Sequence, residues 1–197
     1  MLIYLHGFRS SPLSFKARII AERLAAQGRG AMFACPQLPP SPHEAVALVR
    51  AQFAPGPDDT LVGSSLGGYY ATWLAEAHGC RAVLLNPAVQ PGRDLAPYVG
   101  ALQMYHSNEP FEFRASHVAE LRALEAPAIT HPERYFLVAA KGDEVIDWRD
   151  MVARYPGVET LLLEGSDHGL SDFASYCDRV IAFARLAGSD PEMKRPD

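Results

Sequence analysis

Six short apolar runs set the strongest limit on what this chain can fold into: LIYL (2–5), AMFAC (31–35), TLVG (60–63), RAVLL (81–85), RYFLVAA (134–140) and ETLLLE (159–164). They are nearly continuous rather than alternating, the pattern of strands covered on both faces, and such strands are usually parallel. Amphipathic segments separate them, as the crossovers between parallel strands require. One helix is expected over 14–28, with Ile19, Ile20, Leu24 and Ala25 on one face and Gly28 as its stop. Another is expected within 38–53, where Ser41 takes the cap position, Pro42 the first turn and Glu44 completes a capping box. Further helices are expected at 66–78, 147–154 and 172–187. Strands alternating with helices predict an α/β fold with a mostly parallel sheet of about six strands and helices on both faces.

The rhythm breaks at 91–131, a long segment with no obvious strand but with Tyr98, Tyr105, His106, Phe111, Phe113 and His117. Long insertions in a compact domain usually serve as lids or binding loops. The chain is therefore expected to be one domain over 1–188, with 91–131 a lid-like insertion. The polar stretch 189–197, SDPEMKRPD, is expected to be disordered.

Composition matters chiefly for what it excludes. A net charge of −5 with scattered arginines leaves no basic footprint for nucleic acid or an anionic membrane surface. Cys35, Cys80 and Cys177 form no CxxC pair, so they read as free thiols suited to a reducing compartment. The opening MLIYLHGF has neither a basic leader nor a long apolar region, and no run approaches membrane-spanning length. A cytoplasmic location is the expectation.

Chemistry concentrates where TLVG meets its helix. Residues 63–67 read Gly-Ser-Ser-Leu-Gly, matching G-x-S-x-G with Ser65 at the centre. A strand-to-helix turn this tight forces its central residue to positive φ, and small neighbours let strand and helix approach. Ser64 lacks a glycine two places on, because Leu66 stands there, so Ser65 is the better nucleophile. A serine needs a base and the base an orienting acid, expected after later strands in the order Ser, acid, His.

Both positions are filled. KGDEVIDW follows the run at 134–140 and SDHGL follows the run at 159–164. Asp143 lies nearest the strand end and is the expected acid, while Asp147 is expected to cap the next helix and Glu144 to face solvent. His168 is the expected base. The oxyanion donors are expected to be the backbone N–H groups of Leu66, in the elbow, and of Phe8, in the loop after the first strand. Gly7 would let that loop come close, and His6 is expected to bond within it.

With YLHGF, GSSLGG, GDEVIDW and SDHGL in this order, the chain resembles the α/β-hydrolase superfamily, and more narrowly the YqiA-like small esterases. The opening YLHGF-x-SSP, the segment GSSLGGYYATWLAE, an NPA segment and the SDH loop carry that resemblance from Met1 to about Leu186. It implies a compact hydrolase fold and carboxylesterase-type chemistry with no metal and no cofactor. Ser65 would be the nucleophile, Asp143 the acid and His168 the base.

Arg9 follows the HGF loop and is a candidate for the acyl-pocket rim. Tyr105, Phe111 and Phe113 would add apolar substrate contacts, although that stripe fits core packing equally well. The expected substrate is a small acyl ester of short to medium chain. Alternatives are an acyl-CoA thioester, with Arg9, Arg93 and Arg114 as a basic rim, another acyl transfer on the same triad, and a non-catalytic binding module.

Overall fold

The computed structural model describes residues 1–107 and 109–186. In chain order the elements are β1 (Leu2–Leu5), α1 (Phe15–Ala26), β2 (Phe33–Ala34), α2 (Pro42–Phe53), β3 (Thr60–Ser64) and α3 (Leu66–His78). There follow β4 (Arg81–Leu85), α4 (Pro91–Asp94), β5 (Gly100–Gln103), β6 (Pro110–Phe113), α5 (Ala115–Ala123), β7 (Tyr135–Ala140), α6 (Trp148–Arg154), β8 (Glu159–Leu163) and α7 (Cys177–Phe183).

Six strands form one sheet in the order β2-β1-β3-β4-β7-β8, and every pairing is parallel. The four central strands are buried along nearly their whole length, which is why their sequences do not alternate. Alternate residues still point to opposite faces. Ile3 and Leu5 pack with Val46, Leu74 and Leu121 on the side of α2, α3 and α5, whereas Leu2 and Tyr4 pack with Ile20, Leu24 and Val180 on the side of α1 and α7. From β1 the chain crosses to β2 on one side and then to β3 on the other. Beyond the carboxyl ends of β1 and β3 lies the crevice that such a reversal opens.

Four local expectations change. The run 31–35 gives only a two-residue edge strand, because Gly30–Met32 form a 3₁₀ turn and pairing is confined to Leu2 with Phe33 and Ile3 with Ala34. The expected helix 172–187 is a 3₁₀ turn at Phe173–Ser175 followed by the shorter α7. The segment 91–131 does contain strands: β5 and β6 form an antiparallel hairpin, followed by α5. Only Phe111 and Phe113 of its eight residues are buried, so its pattern is too short to register as a strand signal. In α1 the buried face is Lys16, Ala17, Ile20 and Leu24, so Ala25 turns outward and a lysine turns inward. Among the described residues no helix is long and apolar enough to cross a membrane. The expected disordered tail, 189–197, lies outside them.

Candidate active site

The elbow between β3 and α3 is built by sterics. Ser65 has φ 53° and ψ −120°, a conformation that L side chains rarely adopt. It persists because its surroundings over-determine it. Its N–H donates to the Leu85 carbonyl at 3.0 Å, and its own carbonyl accepts from Gly68 at 2.9 Å and from Ala88 at 3.0 Å. A Cβ on Gly63 would strike the Gly67 carbonyl, and one on Gly67 would strike the backbone of Leu5. Neither obstacle is a side chain that could swing away. The glycines of the motif are thus the condition for α3 to start directly against β3 and β1.

Ser65 Oγ lies 3.1 Å from His168 Nε2, and His168 Nδ1 lies 2.8 Å from Asp143 Oδ2. Because the carboxylate accepts at Nδ1, that nitrogen carries the proton and Nε2 is left to accept from the serine hydroxyl. The Asp143 side chain is fully buried, while that of His168 is 22% exposed. Its other oxygen accepts the N–H groups of Val145 and Ile146, both at 2.8 Å. Those two bonds fix the carboxylate in one orientation. Gly142 adds closeness: a Cβ there would meet the Ser166 carbonyl, so the loops after β7 and β8 are in contact.

The His168 loop has supports that the sequence reading did not assign. Asn86, fully buried at the end of β4, donates from Nδ2 to the carbonyls of Asp167 at 3.0 Å and His168 at 3.2 Å. Its Oδ1 accepts the N–H of Ala140, the last residue of β7, at 2.9 Å. Glu144 is exposed, as expected, yet Oε2 accepts the His168 N–H at 3.0 Å. Lys16 Nζ donates to the Gly169 carbonyl. The asparagine of the NPA segment and a lysine on the apolar period of α1 were the signals available for two of these.

On the β1 side, Gly7 comes within contact of Ser65: a Cβ on it would lie 3.3 Å from that of the serine. His6 is buried, and burial holds its pKa below the usual histidine value. Its Nε2 accepts the Leu38 N–H at 3.0 Å, and Nδ1 bonds the Gly7 carbonyl, so the ring is neutral and holds the loop. Phe8 packs edge-on against Phe111 at 5.2 Å, Phe113 at 5.0 Å and Tyr98 at 6.2 Å. Leu66 opens α3, so its N–H has no acceptor within that helix.

A cleft of about 550 Å³ opens over Ser65 and His168. Arg9 and Tyr105 line it, but Phe111 and Phe113 do not: they are buried behind Phe8, as the core-packing alternative for that stripe had it. Arg9 is committed to the hairpin. Its Nε donates to the Gln103 carbonyl at 2.6 Å, its carbonyl accepts the Tyr105 N–H at 2.8 Å, and its guanidinium lies 4.5 Å from the centre of the Tyr105 ring. Asp147 caps α6 by accepting the Arg149 N–H. Arg93 and Arg114 pair with Asp94 and Glu112. Among the described residues no group of three His, Cys, Asp or Glu is placed to hold a metal ion.

Comparison with solved structures agrees with this architecture. A protein classed as a hydrolase from Agrobacterium vitis S4 is 22% identical, with a TM-score of 0.71 over 93% of this chain and 87% of its own. Mouse alpha/beta hydrolase domain-containing protein 10 is 18% identical, with a TM-score of 0.64 over 92% and 89%. Est1E from Butyrivibrio proteoclasticus, with ferulic acid bound, is 12% identical, with a TM-score of 0.65 over 91% and 85%. At such identities the likeness is one of fold, and the fold is that of the α/β hydrolases. A family model matches residues 1–185, and the chain belongs to that family, described as Uncharacterised protein family (UPF0227).

Proposed function

We propose that the protein is a serine hydrolase that cleaves carboxylic esters of short to medium acyl chain through an acyl-enzyme. The observation that carries this reading is the unbroken relay from Asp143 through His168 to Ser65, at 2.8 Å and 3.1 Å, opening onto a cleft. The fold's resemblance to proteins described as hydrolases and esterases supports it.

In this mechanism Ser65 Oγ attacks the ester carbonyl while His168 Nε2 takes its proton. Asp143, already bonded at Nδ1, stabilises the imidazolium that forms. The carbonyl oxygen gathers charge facing the N–H groups of Phe8 and Leu66, at the N-terminus of α3 where negative charge is favoured. Collapse expels the alkoxide, which receives the proton from Nε2. A water then repeats the sequence on the acyl-enzyme, delivering its proton to His168 and releasing the acid and free Ser65. Arg9 and Tyr105 contact substrate at the rim, and Phe111 and Phe113 act only through Phe8. The chain acts as one domain, with 91–131 as the lid-like cover of the cleft.

The test is hydrolysis of 4-nitrophenyl butyrate by the wild-type protein and by Ser65→Ala, matched for folding by circular dichroism. The variant is expected to lose activity on the order of 10³-fold or more. A wild type inert to ester, thioester and amide probes alike, or an active Ser65→Ala, would overturn the reading in favour of a binding module.

A further inference from the structure

Lys16 is in the wrong place for a lysine. It is the second residue of α1, at the positive end of the helix dipole, with no acidic residue in that first turn. It is also 94% buried, being only 6% exposed, which penalises its charge and holds its pKa down to about 8. Its ammonium has three donors, and the protein bond it makes is to the Gly169 carbonyl, with the Phe15 ring 5.0 Å away. The carboxylates nearest in charge are occupied. Asp143 holds His168 and two backbone N–H groups, and Asp167 accepts from Ser171.

Around this lysine the same cleft has two more irregularities. Ser14 occupies the cap position of α1, a site where serine usually bonds the first turn, yet its side chain makes no cap bond. Its buried Oγ has no hydrogen-bond partner. Tyr4 is fully buried, and its hydroxyl lies close to those of Ser14 and Ser64 but makes no hydrogen bond of good geometry with either. Buried polar groups are nearly always satisfied, so two hydroxyls without a well-formed bond and an ammonium with one protein acceptor leave this wall short of acceptors. Tyr4, Ser14 and Lys16 all line the cleft that holds Ser65 and His168. An oxyanion supplies what all three lack: acceptors for two O–H groups and a counter-charge for both the ammonium and the helix terminus.

We propose that Lys16, Ser14 and Tyr4 form an anion subsite beside the nucleophile, so that the preferred substrate is an ester carrying a carboxylate or similar oxyanion. This assignment rests on the hydrolase reading for its substrate and on the three side chains for its site.

Two arms locate the anion on the substrate. The acyl arm compares mono-4-nitrophenyl glutarate with 4-nitrophenyl valerate. The alcohol arm compares the butyrate ester of 4-hydroxybenzoate with that of methyl 4-hydroxybenzoate. The expected result is a kcat/KM ratio favouring the anionic ester by about 10-fold or more in one arm, as a charge-assisted bond of this kind implies. That ratio should collapse towards unity in Lys16→Met, and fall partially in Tyr4→Phe, which keeps the shape of the buried ring should Lys16→Met fold poorly. The ratio is the readout, because either change can alter absolute rates through the His168 loop. A wild type that hydrolyses the esters with no anionic preference in either arm, or a Lys16→Met that retains the preference, overturns the subsite and leaves the hydrolase reading standing. If no ester is hydrolysed, the hydrolase reading fails, and calorimetry with glutarate decides the subsite alone. Binding that Lys16→Met weakens 10-fold or more supports the subsite, and no binding to the wild type overturns it.

Discussion

Replacing Asn86 by alanine isolates how much of the site depends on one buried amide. The change removes three hydrogen bonds, at 2.9, 3.0 and 3.2 Å, from a side chain with no exposure. The Ala140 N–H is buried and cannot recover water, at about 1–3 kcal/mol. The Asp167 and His168 carbonyls are half-buried and recover part of theirs, so each contributes less. Asn86 also has φ 42°, and alanine in that left-handed region costs about 1–2 kcal/mol. The total is about 3–5 kcal/mol. For a chain of this length that lowers Tm by about 6–20 °C at ~2–4 °C per kcal/mol.

The functional consequence is separable from the stability loss. The amide ties the carbonyl of His168 itself to the end of β4, and releasing it lets the imidazole drift from Ser65. A displacement of about 1 Å costs on the order of 10²-fold, read as a fall in kcat with KM nearly unchanged. Asn86→Asp sharpens the experiment. It keeps the acceptor for Ala140 and the tolerance of positive φ, but presents an oxygen to two carbonyls. Its kcat should fall at least as far as that of the alanine variant, and its Tm should fall as well, because a carboxyl buried against two carbonyls is penalised. The assays are thermal unfolding by circular dichroism and steady-state ester hydrolysis at temperatures where each variant is folded. An Asn86→Asp variant with wild-type kcat would refute the claim that this amide positions the histidine loop.

Three other perturbations follow from the same geometry. Asp143→Asn keeps an oxygen for Val145 and Ile146 but turns an amide N–H toward Nδ1, moving the ring proton to Nε2 where it blocks proton transfer; kcat should drop about 10⁴-fold with little change in KM. Gly67→Ala drives a methyl into the backbone of Leu5, so the variant should be destabilised by about 3 kcal/mol or more, seen as loss of soluble protein or a shifted urea midpoint. Lys16 binds its proton less tightly when folded, at about 8 against 10.5 unfolded, so between those values this group alone contributes stability that rises with pH, against the opposite contribution of Cys35, Cys80 and Cys177, whose thiols burial pushes up. The slope of the urea midpoint against pH should therefore be less positive in Lys16→Met than in the wild type across that interval, and equal slopes in the two would show that the lysine does not titrate there.

The fold and the meeting of Ser65, His168 and Asp143 were legible because both are written in short-range patterns. Continuous apolar runs announced buried parallel strands, and G-x-S-x-G announced a turn that only small residues can make. Strand ends following 134–140 and 159–164 put Asp143 and His168 at the sheet edge where Ser65 emerges. The hairpin of β5 and β6 was not legible, since four-residue strands with only Phe111 and Phe113 buried leave almost no periodic signal. Whether those aromatics faced substrate or core was equally open from composition.

What the sequence by itself determined is the order of elements and the residue types that can carry an acyl-transfer relay. What only the tertiary structure decided is which polar groups meet across the chain. Asn86 reaches a loop 82 residues later, and Lys16 reaches one 153 residues later. Those pairings depend on how β1, β4 and β8 are ordered in the sheet and on which face of α1 turns inward. Local propensity governs a turn of chain, whereas a buried charge or amide takes its meaning from whatever the packed sheet brings beside it.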